Sequence, residues 1–316
     1  MIKGKGTAEN PYIIMTADDL YFMSSIGGSD VYFSLGADID FNNTPYADNF
    51  RPITLDCKHI AGNGHVIRNV NYVVNGSDAS MFVLTGDSQK ISVENLYIEN
   101  IRLTGKNVFL FGNTGENNSI SLRYCTIIMN DITASEPDTA SETHKHCILH
   151  GAGIEISADY CMFVIKSSSK TVYPYFSGDT ITHSQMNFEI FVNDFVRSTG
   201  GYNSVITESD VSDSYFFVNI TTSKISGLST FDFSSKKCVF SGCYLVCEVS
   251  SLIYNLYWYG NIITTCFYDV DVLRRNNTVT SVNGDNIKNI YKLTTEQCKD
   301  AEYLRSIGFS CTEAYI

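Results

Sequence analysis

Three histidines and a cysteine crowd the stretch "HKHCILH" at His144–His150. Strand-like alternation places His144, His146 and His150 on one side and Cys147 on the other. Three imidazoles on one face are a zinc-ligand set. The competing reading is a polar strand beside an exposed loop, because "ASEPDTASETHKH" leads into it. No metal and no cofactor is expected; these histidines are the candidates should a metal bind.

Ten cysteines invite the same question. "YCTIIMN" and "YCMFVIK" begin 36 residues apart, at Tyr124 and Tyr160. A thiolate site, a disulfide and a repeat with thiols in its core are the three readings. Carboxylates come next, since glycoside hydrolysis needs two of them about 5–10 Å apart. Asp269 and Asp271 share one strand candidate, and Asp210 and Asp213 precede another. Glu189 stands apart from both pairs. A lyase would add a basic residue, and Arg274–Arg275 come nearest to the acids. Surface acids are also what a chain of net charge −12 carries anyway.

The elements that would position these residues form a repeat. Similar short runs start at Val70, Leu96, Cys125, Cys161, Met186, Ser214, Cys243 and Cys266. Two residues on, all eight positions are apolar or aromatic. Four residues on, seven of eight are apolar, Asn100 being the exception. A period of two puts these columns on one strand face. Strands this short, with turn residues between them and no helical period, fit a coil that stacks rung on rung. The fold class expected is all-β: a single-stranded, right-handed parallel β-helix, or solenoid, with short α-helical caps at both ends. Residues 1–52 are the N-terminal cap, 53–290 the β-helix, and 291–316 a C-terminal capping helix and tail. The first cap is a helix starting at Thr16 with Asp19 in a capping box; the last is one helix capped at Thr294 with Gln297, ending near Gly308. Phe163, Phe188 and Phe216 are expected to stack as neighbours. Cys125, Cys161, Cys243 and Cys266 then share an inward column, where thiols serve as small buried groups.

The outward positions are unusually apolar. Ile128, Met162, Val164, Tyr215, Phe217, Tyr244 and Val246 all face away from the expected core. A strand apolar on both faces is usually covered on both. A folded-over loop or a subunit interface would cover it; Ile128, Met162, Val164, Phe217 and Val246 are the interface candidates of a homo-oligomer, a homotrimer first. Tyr215, Tyr244 and Phe267 also form an aromatic column, and the lone Trp258 lies in "YNLYWYGN". Aromatic ladders are sugar platforms as well as interfaces, so these four are candidate carbohydrate contacts.

Charge narrows the partners. Lys+Arg number 22 against 34 Asp+Glu, with no basic run. Nucleic acid needs clustered cations, so none is expected as a partner. No apolar run reaches spanning length, and membrane insertion is not expected. The N-terminus shows no secretory h-region.

"GKGTAENPYIIMTADDL", "SLGADIDF" and "HIAGNGHVIRNV" resemble the opening of right-handed β-helix proteins of the pectin-lyase-like superfamily. "VFLFGNTG" resembles the short element of GLUG-type repeats, and "KLTTEQCKDAEYLRSIGF" resembles the closing helix of phage, prophage and gut-bacterial chains. The resemblance implies the fold; function varies widely across it. It points to a non-enzymatic virion appendage of a phage (tail spike, tail fibre or head fibre) made in the host cytoplasm. Such a chain would present a surface for host attachment, with other virion proteins and a host cell-surface glycan as partners. A polysaccharide lyase or glycoside hydrolase of the same fold, and a bacterial surface adhesin, are the alternatives.

Overall fold

A computed structural model describes residues 2–134, 147–169, 176–192, 206–207, 209–212, 214–222, 229–231, 239–241, 244–249, 256–259, 262–269, 280–283, 287–298 and 300–307. The chain is mostly β, and its named strand pairs are parallel. Its contacts group into two units, residues 1–138 with 142–165, and residues 139–141 with 166–316.

The first unit holds three parallel ladders. One runs through Tyr12–Ile14, Tyr32–Leu35, His59–Ala61, Lys90–Glu94, Asn118–Arg123 and Ile154–Asp159. The second runs through Ile39–Asp40, Val66–Val73, Tyr97–Gly105 and Thr126–Ala134, and continues at Met162, whose N–H donates to the Cys125 carbonyl at 2.9 Å. The third comprises Ile53–Leu55, Ala79–Leu84 and Val108–Asn113. Period-two burial gives each strand an inner face: Ile120 and Leu122 are buried where Ser121 is exposed. Leu84, Leu103, Leu110, Met129 and Phe163 are fully enclosed in this core.

The second unit repeats the pattern. Thr180–Thr182, Asp210–Ser212 and Val239–Ser241 pair in order, as do Gln185–Val192, Tyr215–Thr222 and Tyr244–Val249. A third ladder joins Phe176–Ser177, Ile206–Thr207, Ser229–Phe231, Leu256–Tyr259 and Thr280–Asn283.

Helix α1 (Ala17–Ile26) begins as its sequence dictates. The Thr16 hydroxyl accepts from Asp19 N, and the Asp19 carboxylate accepts from Thr16 N, closing a capping box. Ala17, Leu20 and Met23 are its buried face. Residues 3–10 fold back on the first strand: Ile13 N–H donates to Lys3 O at 2.8 Å, and Lys5 and Thr7 N–H groups share Asn10 O. Gly4 is obligatory there, with φ +104° and a would-be Cβ only 1.9 Å from Pro11 O. At the other end, the expected single helix is two: α2 (Thr295–Cys298) and α3 (Ala301–Ser306). Thr294 and Gln297 do form a reciprocal cap at 2.9 and 3.2 Å. Asp300 then caps α3 by accepting from Tyr303 N at 3.0 Å, which breaks the helix. Gly308 lies outside the described residues. No helix among the described residues is long and apolar enough to cross a membrane.

The repeat needs two corrections. Val70 pairs with Ile101, and His65 is the residue opposite Leu96. Met186 pairs with Phe216, so Ser184 is the residue opposite Ser214. Phe188 is therefore the register partner of Val218, and Phe216 that of Met186 and Leu245, so Phe188 and Phe216 are not in register as expected.

Candidate functional site

The Tyr-Cys doublets mark bends between consecutive ladders. Tyr124 and Tyr160 sit in the left-handed region at φ 53° and 52°, as do Asn95 at 53° and Asn63 at 55°. Asparagine tolerates this conformation because its short amide bonds locally; tyrosine there is uncommon. Gly62 opens the first of these bends, and a Cβ would lie 2.3 Å from Asn95 O. The bend turns the next side chain inward, within reach of the carbonyl two residues back. Cys125 Sγ–H donates to Arg123 O at 3.4 Å, and Cys161 Sγ–H to Asp159 O at 3.4 Å. In the second unit Ser184 and Ser214 hydroxyls do the same to Thr182 O and Ser212 O, each at 2.7 Å. The column therefore holds a small buried donor, thiol or hydroxyl, that gives Arg123 O, Asp159 O and Ser212 O a second hydrogen bond beside those from Asn95, Tyr124 and His183 N–H. Cys57, Cys125, Cys147 and Cys161 are all buried thiols, and burial pushes Cys57 up to about 12.

While the cysteines turn in, the tyrosines turn out. The Tyr124 and Tyr160 rings stack at 5.4 Å between centroids and 26° between planes. They remain 45% and 43% exposed. The Arg123 guanidinium lies 4.9 Å over Tyr124, donates to its hydroxyl at 3.3 Å, and reaches Asp159 at 3.8 Å. Exposed Tyr97 stands in register with Thr126, two residues along from Tyr124. An aromatic surface edged by a guanidinium and a carboxylate suits a ligand with apolar faces and hydroxyl edges. The signal in the sequence is the Tyr-Cys doublet itself, which recurs 36 residues apart.

A second constellation lines the neighbouring bend. Asp40 accepts from Asn69 Nδ2 at 2.6 Å; Asn69 Oδ1 accepts from Asn100, and Asn100 Oδ1 from Asn130 at 3.2 Å. Asn69 and Asn100 are left-handed at φ 63° and 52°. Arg68 bonds Asp40 at 3.1 Å, and His65 bonds Asp38 at 3.0 Å. The His65 hydrogen bond lowers the Asp38 pKa, and the Asn69 bond lowers that of Asp40. Further carboxylates are also paired: Asp131 with Arg102 at 3.0 Å and Glu189 with Lys166 at 3.0 Å.

The residues singled out in the sequence fall as follows. Ile128, Met162 and Val164 are half-buried on the outer side. Phe217 pairs with Val246 in register. Tyr215, Tyr244 and Phe267 are consecutive register partners, and Tyr291 extends the column beyond Phe267. Trp258 pairs with Phe231 and Val282. Asp269 is in register with Leu293, while Asp213, Asp271, Arg274 and Arg275 lie outside the described residues. So do His144 and His146. His150 is fully buried, its Nδ1 2.9 Å from Gly151 O. The expected alternation fails here. Cys147–His150 is a tight turn, with Cys147 N–H donating to His150 O at 3.0 Å, so both side chains are buried instead of opposed.

No family model matches the chain. A protein of Evansella cellulosilytica, provisionally named a Gly-rich membrane protein, is 33% identical over 117 residues. That match covers 34% of this chain and 13% of the relative's length. A solved structure from Bacteroides ovatus, provisionally named an immunoglobulin A1 protease, aligns with 96% of this chain and 89% of its own. Its TM-score is 0.49 at 15% identity. Neither likeness assigns an activity.

Proposed function

We propose that the chain is a right-handed parallel β-helix acting as a non-enzymatic attachment module, with carbohydrate as its ligand. The parallel in-register ladders, the recurring left-handed bends and the Asn69–Asn100–Asn130 row support the solenoid reading. The exposed Tyr124–Tyr160 stack carries the functional one. A sugar's C–H face packs on such rings while its hydroxyls reach Arg123 and Asp159. The stack rests on backbone fixed by ladder bonds, so little ordering is lost on binding. Among the described residues the carboxyls with shifted pKa values, Asp38 and Asp40, are lowered, whereas a glycosidase acid needs a raised one.

The attachment module would serve a phage virion appendage that recognises a host glycan. Its half-buried outer strip at Ile128, Met162 and Val164 would seat a second copy in a homotrimer. The appendage and trimer parts rest on the sequence resemblance alone. Glycan-array screening followed by calorimetry tests the binding. Tyr160→Ala should weaken the selected glycan about tenfold, the loss of about 1.4 kcal/mol of stacking. Unchanged affinity in both Tyr124→Ala and Tyr160→Ala would end the carbohydrate assignment. Scattering that gives a monomer mass at micromolar concentration would remove the trimer.

A further inference from the structure

Directly behind the tyrosine stack lie the two thiols of the same doublets. Cys125 and Cys161 are 2% and 1% exposed. Their backbones are ladder neighbours, joined by the Met162 N–H to Cys125 O bond at 2.9 Å. Adjacent strands lie about 4.8 Å apart, inside the Cα separation a disulfide spans, roughly 4.4–6.8 Å. The two thiols also hydrogen-bond to each other. Beside Cys125 is an apolar cavity with room for a water-sized molecule, walled by Leu96, Ile98, Phe111, Leu122 and Ile127. Hydrogen peroxide is little larger than water.

We propose that Cys125 and Cys161 form a peroxide-sensitive dithiol that closes to a disulfide, tying two neighbouring repeats together. The chemistry balances with peroxide as oxidant. Cys125 sulfur attacks one peroxide oxygen, the O–O bond breaks, and water leaves, giving a sulfenic acid. Cys161 sulfur then attacks the Cys125 sulfur, hydroxide leaves and takes the thiol proton as a second water, and the S–S bond forms. Two thiols and one peroxide yield one disulfide and two waters. The order follows from the contact between the two thiols, which lowers the pKa of Cys125 and raises that of Cys161, so Cys125 is the better nucleophile. The bond would close a loop of 35 residues between the cysteines, residues 126–160. Loops of that length raise stability by restricting the unfolded chain.

The test treats the purified full chain with an equimolar amount of hydrogen peroxide. Remaining thiols are then alkylated in denaturant and the peptides mapped by mass. A linked Cys125–Cys161 peptide, two hydrogens lighter than the reduced pair, is expected, with a higher Tm that reductant reverses. Cys161→Ser should fold, since serine fills the equivalent place at 184 and 214. That variant should give no linked peptide and should carry a dimedone adduct on Cys125. Cys125 and Cys161 both recovered as alkylated thiols, or linked to other cysteines, would overturn the proposal. A dimedone adduct on Cys161 in Cys125→Ser equal to that on Cys125 in Cys161→Ser would overturn the assigned order. None of these readouts depends on glycan binding.

Discussion

Asn100 shows how much one residue carries. It donates to Asn69, accepts from Asn130, and holds a left-handed backbone at φ 52°. Asn100→Ala removes both side-chain bonds and leaves a Cβ with no compensation in that conformation. Two bonds of about 1 kcal/mol each and a similar backbone cost predict a loss of roughly 3 kcal/mol. Asn100→Gly keeps the backbone free and should lose about 2 kcal/mol. Urea unfolding of both variants checks the order. Acid tests the same bend. Asp38 and Asp40 have depressed folded-state pKa values, from His65 and Asn69 respectively. Their contribution is complete above the ordinary aspartate value of about 3.9 and disappears as pH falls through the lower folded values. Asp40→Asn should flatten that acid limb in denaturant midpoints measured down the pH scale. These asparagines also explain a misreading. Ile67 and Val70 are both buried, three residues apart, because left-handed Asn69 lies between them. A strict period of two cannot express that kink, and it sets Val70 opposite Leu96 instead of Ile101.

At the scale of elements, the caps are legible and the register is legible in part: Leu96, Cys125 and Cys161 align as expected, as do Ser214, Cys243 and Cys266. Thr16 with Asp19, and Thr294 with Gln297, are local signals that need no knowledge of the rest of the chain. Thr16→Ala should cost about 1 kcal/mol, read as a lower unfolding midpoint. The closing helix was read as continuous because its apolar spacing continues through Asp300. Its carboxylate instead captures Tyr303 N and starts a new helix. Register failed at Met186 for a simpler reason. Ser184 and Met186 point the same way, so a two-residue slip leaves the inward pattern intact. The exposed stack is not legible in the sequence, because Tyr124 and Tyr160 lie at the bends, where alternation says nothing about direction. Only their left-handed φ reveals it.

At the scale of the whole molecule, every named strand partnership is parallel, and a stack of parallel strands has unsatisfied amides wherever it stops. The first strand, Tyr12–Ile14, meets the second on one side; on the other, Ile13 gives its amide hydrogen to Lys3. Residues 3–10 thus lie across that edge as a stopper, which is expected to keep it from templating a further strand. Gly4→Val cannot be seated, because its side chain would enter Pro11 O, so the stopper should come loose. The mutant should seed filaments growing from that strand, visible by electron microscopy, while the wild-type chain at equal concentration stays dispersed.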